Sequence, residues 1–248
     1  MINKYYRPDI DGLRGIAVLA VIFFHFDISF FKGGFLGVDI FFVISGYLIT
    51  NLILREINEG NFKILIFFER RIRRIVPALF TVIIISIPLA YYNLSAGVIK
   101  DYWQSVLSSL LFLSNYLFAL EENYFDISSK FKPLLHTWSL SVEEQFYIIF
   151  PIVLLIAFKY FKKHLLIILV AGLIMSLSIA DWGSKNYPSA SFYFLHTRMW
   201  ELLAGSILAY SEITLGHRSK NKTLNMILPS VGTLLIGYSV VFFNHEMF

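Results

Sequence analysis

The chain has no cysteine and little charge: none of its 248 residues is Cys, and Asp, Glu, Lys and Arg together make up 15%, where a soluble domain carries about 25%. The first absence excludes disulfides, a thiolate nucleophile and cysteine-ligated metal. The second excludes an ordinary water-facing surface. There is no Walker A loop and no His-Glu-x-x-His pair, so P-loop and zincin chemistry has no support. Ser45-Gly46 lacks the Gly-x-Ser-x-Gly frame of a nucleophile elbow. The histidines are scattered, and neither His196 nor His217 has a ligand partner at i+3 or i+4, so no metal is expected. A cleavable leader pattern is missing too. Asp9, Asp11 and Arg14 crowd the start, and no small-x-small site follows the first apolar run, which is expected to be a retained anchor. No internal repeat, low-complexity tract or soluble domain is visible.

What fills the chain instead is apolar: 57% hydrophobic and 17% aromatic residues, with a mean hydropathy of +0.66. Runs near the ~20-residue spanning length lie at 13–31, 36–54, 75–93, 141–158, 164–181, 195–211 and 225–243, with a weaker one at 103–120. Basic residues cluster in four places: Lys4, Arg7 and Arg14; Arg55 with Arg70, Arg71, Arg73 and Arg74; Lys159, Lys162, Lys163 and His164; and His217, Arg218, Lys220 and Lys222. The positive-inside rule puts these clusters and the N-terminus in the cytoplasm. Parity then requires that 103–120, with Trp103, Gln104, Asn115 and Tyr116, stay on the outer side. The predicted fold is all-α: a polytopic transmembrane bundle of about seven crossings plus one re-entrant or interfacial segment. It forms a single domain over 1–248 with the C-terminus outside. The net charge of +4 says little about nucleic acid, since in a membrane protein the placement of the basic residues matters more, and no nucleic-acid partner is expected.

The first run carries an arginine at its mouth and a histidine further in, Arg14 and His25. Eleven residues at 100° each come to about 20° past three turns, so both share one helix face, roughly 16 Å apart along the axis. Ionisable groups inside a membrane are expensive and mark function by default. His25 lies among Phe23, Phe24 and Phe26, a setting suited to the neutral imidazole that a general base requires. The competing reading is a packing histidine bonded to a nearby carbonyl. In Glu69-Arg70-Arg71-Ile72-Arg73-Arg74, Arg70, Arg73 and Arg74 fall on one flank. Such a cluster suits phosphate oxygens, or sets topology and touches anionic lipid.

Ser141 followed by Glu144 reads as a capping box, which leaves His136, Trp138 and Glu143 unexplained at an outer membrane boundary. Glu143 is a candidate to orient a histidine or hold a sugar hydroxyl, and Trp138 suits an interfacial anchor. Asp39, near the outer end of the second run, is joined to His25 by a hairpin in which Gly33, Gly34 and Gly37 permit a tight turn and close packing. Arg198 and Glu201 are spaced as a structural ion pair.

Five blocks, in order across residues 6–209, resemble the acyltransferase-3 family of bacterial inner-membrane proteins, in particular its O-antigen and peptidoglycan O-acetylase branch. They are Tyr6-Arg-Pro-Asp-Ile-Asp-Gly-Leu-Arg14 running on to His25, GGFLGVDIFFVISGYLIT, FFERRIRRIVPAL, HTWSLSVEEQFYIIFP and TRMWELLAGSILA. The resemblance implies transfer of an acyl group, usually acetyl, to a hydroxyl of a cell-envelope carbohydrate such as lipopolysaccharide O-antigen. The donor is cytoplasmic acyl-CoA, acetyl-CoA in the usual case, and no bound cofactor is implied. It makes Arg14 and His25 essential, links Arg70, Arg71, Arg73 and Arg74 to the donor side or to the architecture of the active site, and adds Glu143 as a further site residue.

Family cores hold more helices than are counted here, and many relatives carry an extracytoplasmic SGNH-type domain. The chain is therefore expected to be C-terminally truncated, with such a domain or subunit as a partner. On this reading the arginines hold the CoA phosphates, and His25 deprotonates the acceptor hydroxyl or takes the acyl group itself. Asp39 or Glu143 orients the imidazole. Two rival readings stand beside it: an acyl-group transporter or non-catalytic membrane subunit, and an inactive remnant.

Overall fold

Each of the seven apolar runs is helical over most of its length in the computed structural model, which describes residues 7–121, 132–214, 216 and 221–244. Among the described residues there are ten α-helices and no strand. They are α1 (Pro8–His25), α2 (Gly37–Asn58), α3 (Ile64–Asn93), α4 (Ala96–Leu110), α5 (Ser114–Glu121), α6 (Thr137–Phe161), α7 (Leu165–Asn186), α8 (Pro188–Tyr193), α9 (Leu195–Thr214) and α10 (Lys222–Phe242). Four stretches are long and apolar enough to cross a membrane: Gly34–Asn58, Ile64–Asn93, Thr137–Asn186 and Lys222–Phe242. The third holds both α6 and α7. The expected seven crossings are not reached on this measure, because α1 carries Asp9, Asp11 and Arg14 and α9 carries Arg198, Glu201 and Glu212. Outward-facing Ile84, Ile85, Leu89, Ile148, Ile152 and Leu234 are exposed, a surface suited to lipid and not to water. This is a multi-pass helical membrane protein.

The chain divides into two compact units, residues 1–51 with 201–248, and residues 52–200. In the first, α1 opens on Pro8, whose missing N–H falls where a helix has no partner for one. Two 3-10 turns, Ser29–Phe31 and Gly34–Leu36, lead into α2. The glycines there allow backbone contact: a methyl on Gly34 would land on the Ala20 carbonyl, and one on Gly37 on the Ala17 carbonyl. The expected close packing is therefore present. α2 and α9 cross in the same way, with Gly46 against the Leu202 carbonyl and Gly205 against that of Val43. Small residues at a helix crossing let dispersion replace the hydrophobic drive that lipid removes. Ile10, Ile44, Tyr47 and Ala209 form the core between these helices.

In the second unit the left-handed Gly60 turns the end of α2 into α3. The buried stripe of α3 runs through Phe67, Leu79, Ile83, Ser86 and Ala90. Its later part packs with Tyr102, Val106 and Leu134. The run at 103–120 breaks at Phe112, where φ is 53°. The 15 residues of α4 and the 8 of α5 reach only ~22 and ~12 Å, so neither spans a ~30 Å hydrocarbon core alone. A polar seam ties α4 and α5 to α6. Ser109 Oγ lies 2.8 Å from Thr137 Oγ1, which lies 3.0 Å from Ser114 Oγ, and Ser114 Oγ lies 2.8 Å from Ser141 Oγ. Gln145 donates to Phe112 O and Asn115 Oδ1, at 2.9 and 2.8 Å, and Asn115 donates to Tyr193 O at 3.2 Å.

That seam overturns the capping box. α6 starts at Thr137, whose hydroxyl donates to Leu134 O at 2.7 Å. Ser141 therefore sits inside the helix with its hydroxyl against Ser114, and Glu144 lies two turns in. Tertiary polar partners took the serine that local sequence assigned to the backbone.

Candidate functional site

Each unit carries its own share of the chemistry-bearing residues. In the first, Arg14 and His25 both belong to the uninterrupted α1, so their common face and ~16 Å separation follow from helix geometry. His25 is the last helical residue and is exposed, not enclosed among the phenylalanines. Its ring stands edge-on to Phe24, and Nδ1 lies 3.0 Å from Val21 O. A carbonyl only accepts, so in the neutral ring Nδ1 carries the proton and Nε2 is the basic nitrogen. Arg14 lies 3.9 Å from Asp11 in a half-exposed i,i+3 pair. Asp39 occupies the first turn of α2. Gly37, two residues earlier, packs against Ala17 and Val21, which brings that turn alongside α1 one turn before His25.

A network that the sequence did not announce anchors the start of α1. Arg7 donates to Asp9 at 2.6 and 2.9 Å and to the Tyr47 hydroxyl at 3.2 Å, and Tyr47 donates to Glu212 at 2.7 Å. Arg7 also stands 3.6 Å from Glu212. The hydrogen bond from Arg7 holds the Asp9 carboxyl below the usual carboxylate range, against a smaller opposing effect of burial. The same bond pushes the Arg7 guanidinium up, so it stays charged at any pH of interest.

In the second unit the four arginines of α3 part company. Arg70 pairs with Glu56 at 2.8 Å, Arg73 pairs with Glu69 at 2.8 Å, and Arg74 is exposed. Arg71 follows Phe67 by one turn on the buried stripe and is drawn inward. Its guanidinium lies over the Tyr147 ring, 4.9 Å from the centroid, and 5.7 Å from that of Phe67. It interacts electrostatically with Glu143 and Glu144, and Tyr147 donates to Glu143 Oε2 at 3.4 Å. Glu144 is 8% exposed, and its Oε1 is buried without a hydrogen-bond partner.

This geometry corrects the placement of Glu143. Sequence charge set the arginines and Glu143 at opposite membrane faces. Contact between Arg71 and Tyr147, one turn from Glu143, puts them at one depth. Glu144 was missed because the capping box had already explained it, and Tyr147 was not singled out. The legible signal was the stripe Thr137, Ser141, Glu144, Tyr147, Pro151, Leu154, one face of a helix begun at 137.

Arg198 lies elsewhere in this unit, donating to Phe192 O at 2.9 Å with its guanidinium 4.7 Å from the Phe192 ring. Among the described residues no group of three His, Cys, Asp or Glu is placed to hold a metal. His217, Arg218 and Lys220 fall outside the described residues.

Arginine, histidine and carboxylates arrayed on membrane helices define a polytopic protein built for polar chemistry inside a bilayer. The Acyltransferase domain family model matches residues 7–248, and the chain belongs to this acyltransferase-3 family. It is 39% identical over 216 residues to "Peptidoglycan O-acetyltransferase OatA" of Listeria monocytogenes, covering 84% of this chain and 34% of that protein. A "Putative O-acetyltransferase SAS0844" of Staphylococcus aureus is 38% identical over 241 residues, covering 92% of this chain and 39% of the relative. "Putative peptidoglycan O-acetyltransferase YrhL" of Bacillus subtilis is 39% identical over 216 residues, covering 82% and 33%. The chain thus spans about a third of the length of these relatives. No solved structure matches it.

Proposed function

We propose that the chain is the membrane part of an O-acyltransferase that passes an acyl group, acetyl in the usual case, from cytoplasmic acyl-CoA to a hydroxyl of a cell-envelope carbohydrate. Peptidoglycan is the favoured acceptor, because two of the relatives carry that substrate in their names; none of these three names mentions lipopolysaccharide O-antigen. The protein sits in the bacterial inner membrane with its N-terminus in the cytoplasm, and an extracytoplasmic SGNH-type domain or subunit works with it. The observation that carries the reading is Arg14 and His25 on one face of one helix in a chain of this family.

Chemically, His25 Nε2 takes the proton of the acceptor hydroxyl while Nδ1 stays bonded to Val21 O, which fixes the tautomer. The hydroxyl oxygen attacks the thioester carbonyl carbon and the carbon–sulfur bond breaks. CoA leaves as thiolate and takes up a proton. Asp39, on the turn beside α1, favours the imidazolium that forms through its charge, and the outward Arg73 and Arg74 meet the CoA phosphates as charge-assisted donors.

The rival reading is a transporter that moves the acyl group without transferring it, for which intramembrane Arg and His serve equally. Acetyl-CoA labelled in the acetyl group, given to the purified chain in lipid vesicles with a peptidoglycan fragment, separates the two. Transfer predicts loss of thioester matched by acetylated glycan. An intact thioester overturns the enzyme reading.

A further inference from the structure

Two polar groups facing one another from α3 and α6 have unused hydrogen-bonding capacity. Guanidinium carries five N–H donors, yet half-buried Arg71 makes no hydrogen bond or ion pair to any described residue; its contacts are the faces of Tyr147 and Phe67. Glu144 Oε1, buried, accepts nothing. A buried carboxylate oxygen without a donor is costly, and such groups in folded proteins mark a missing partner. Neither is a terminus effect, since both lie within their helices.

The surroundings restrict what completes the pair. A second anion would face Glu143 and Glu144, and a second cation would face Arg71. The walls beside Arg71 are aromatic, Phe67 and the Tyr147 ring, both buried. A neutral group that both accepts and donates, carried on a slender chain, meets these conditions. Sugars bring several hydroxyls to a place that offers one donor group and one acceptor.

The geometry points to Arg71 and Glu144 as an inner polar station for an amide of the donor's pantetheine arm, the amide carbonyl accepting from Arg71 and the amide N–H donating to Glu144 Oε1. This rests on acyl-CoA being the donor, as proposed above. The arginines of α3 then have separate roles, the exposed Arg73 and Arg74 meeting phosphates and the inward-turned Arg71 meeting the arm.

The test is equilibrium binding of acetyl-CoA and of S-acetylpantetheine, which lacks the nucleotide and its phosphates, to the full chain in lipid nanodiscs. E144A is expected to weaken both ligands by about tenfold or more. E144Q, whose side-chain carbonyl still accepts, retains most of the affinity and checks that the fold survives. An Arg73→Ala/Arg74→Ala pair weakens acetyl-CoA and leaves S-acetylpantetheine unchanged. Unchanged binding of both ligands to E144A overturns the station while leaving the donor reading intact. Loss of affinity in E144A for a muropeptide but not for S-acetylpantetheine also overturns it, by assigning the pair to the acceptor. Wild-type protein that binds no acetyl-CoA removes the donor reading itself, and the station with it.

Discussion

In the unit of residues 1–51 and 201–248, helices meet through glycine; in that of residues 52–200, they are tied by hydroxyls and amides. Both devices answer one constraint: lipid gives apolar helices no reason to associate, so backbone contact or polar bonding must supply it. The difference lies in tolerance. A glycine crossing has no slack, because the atom opposite Gly46 is the Leu202 carbonyl, fixed in its own helix. A seam of side chains can lose one member and re-form around it. The unforgiving scaffold carries Arg14 and His25, and the adaptable one carries the arginine and glutamate whose hydrogen bonding is incomplete. On the function proposed above, acyl transfer from a long donor calls for rigid support at the reacting group and adaptable support along a ligand arm.

The contrast can be broken most severely at the crossing. Gly46→Ala is expected to destabilise the protein by more than about 3 kcal/mol, since overpacking against backbone exceeds the usual 1–3 kcal/mol range; the loss is read as a fall in thermal midpoint in detergent. Second comes the seam. Gln145→Leu strips donors from Phe112 O and Asn115 and is expected to cost about 1–3 kcal/mol, with Asn115→Leu/Gln145→Leu less damaging than the two single costs summed.

Arg73→Ala sharpens the comparison from the other side. It removes an exposed i,i+4 pair with Glu69 and should change stability by less than about 0.5 kcal/mol, so any loss of donor binding reports binding alone. The smallest effect is pH-dependent. Asp9 is held below its ordinary range by Arg7. Its contribution is thus present above the unfolded carboxylate value, near 3.9, and fades as pH falls through the lower folded value. Because the pair is largely exposed, the acid-induced loosening of the N-terminal anchor is expected to be slight. Asp9→Asn should abolish it in a hydrogen-exchange profile of α1.

Much of this was legible in the residues. The apolar runs gave the helices, the glycines gave the α1–α2 approach, and the break in 103–120 agrees with a segment that is no straight crossing. The four arginines were found but not told apart, although Arg71 stands on the Phe67 and Leu79 stripe while Arg70, Arg73 and Arg74 do not. Glu144 was lost to a capping motif that local sequence satisfies and tertiary structure does not use. The Arg7–Tyr47–Glu212 network joins residues 165 positions apart, and no spacing rule reaches that far. Charge counted by loop is also blind to an arginine such as Arg71 that turns inward.

The central claim is that His25 is the base of an acyl transfer. Its most direct test compares wild type with His25→Ala, both inserted in membranes and supplied with labelled acetyl-CoA and a peptidoglycan fragment, by counting label in the glycan. Acetylated glycan is expected to fall to background in the variant while acetyl-CoA binding persists. Acetylation by His25→Ala at the wild-type rate would contradict it.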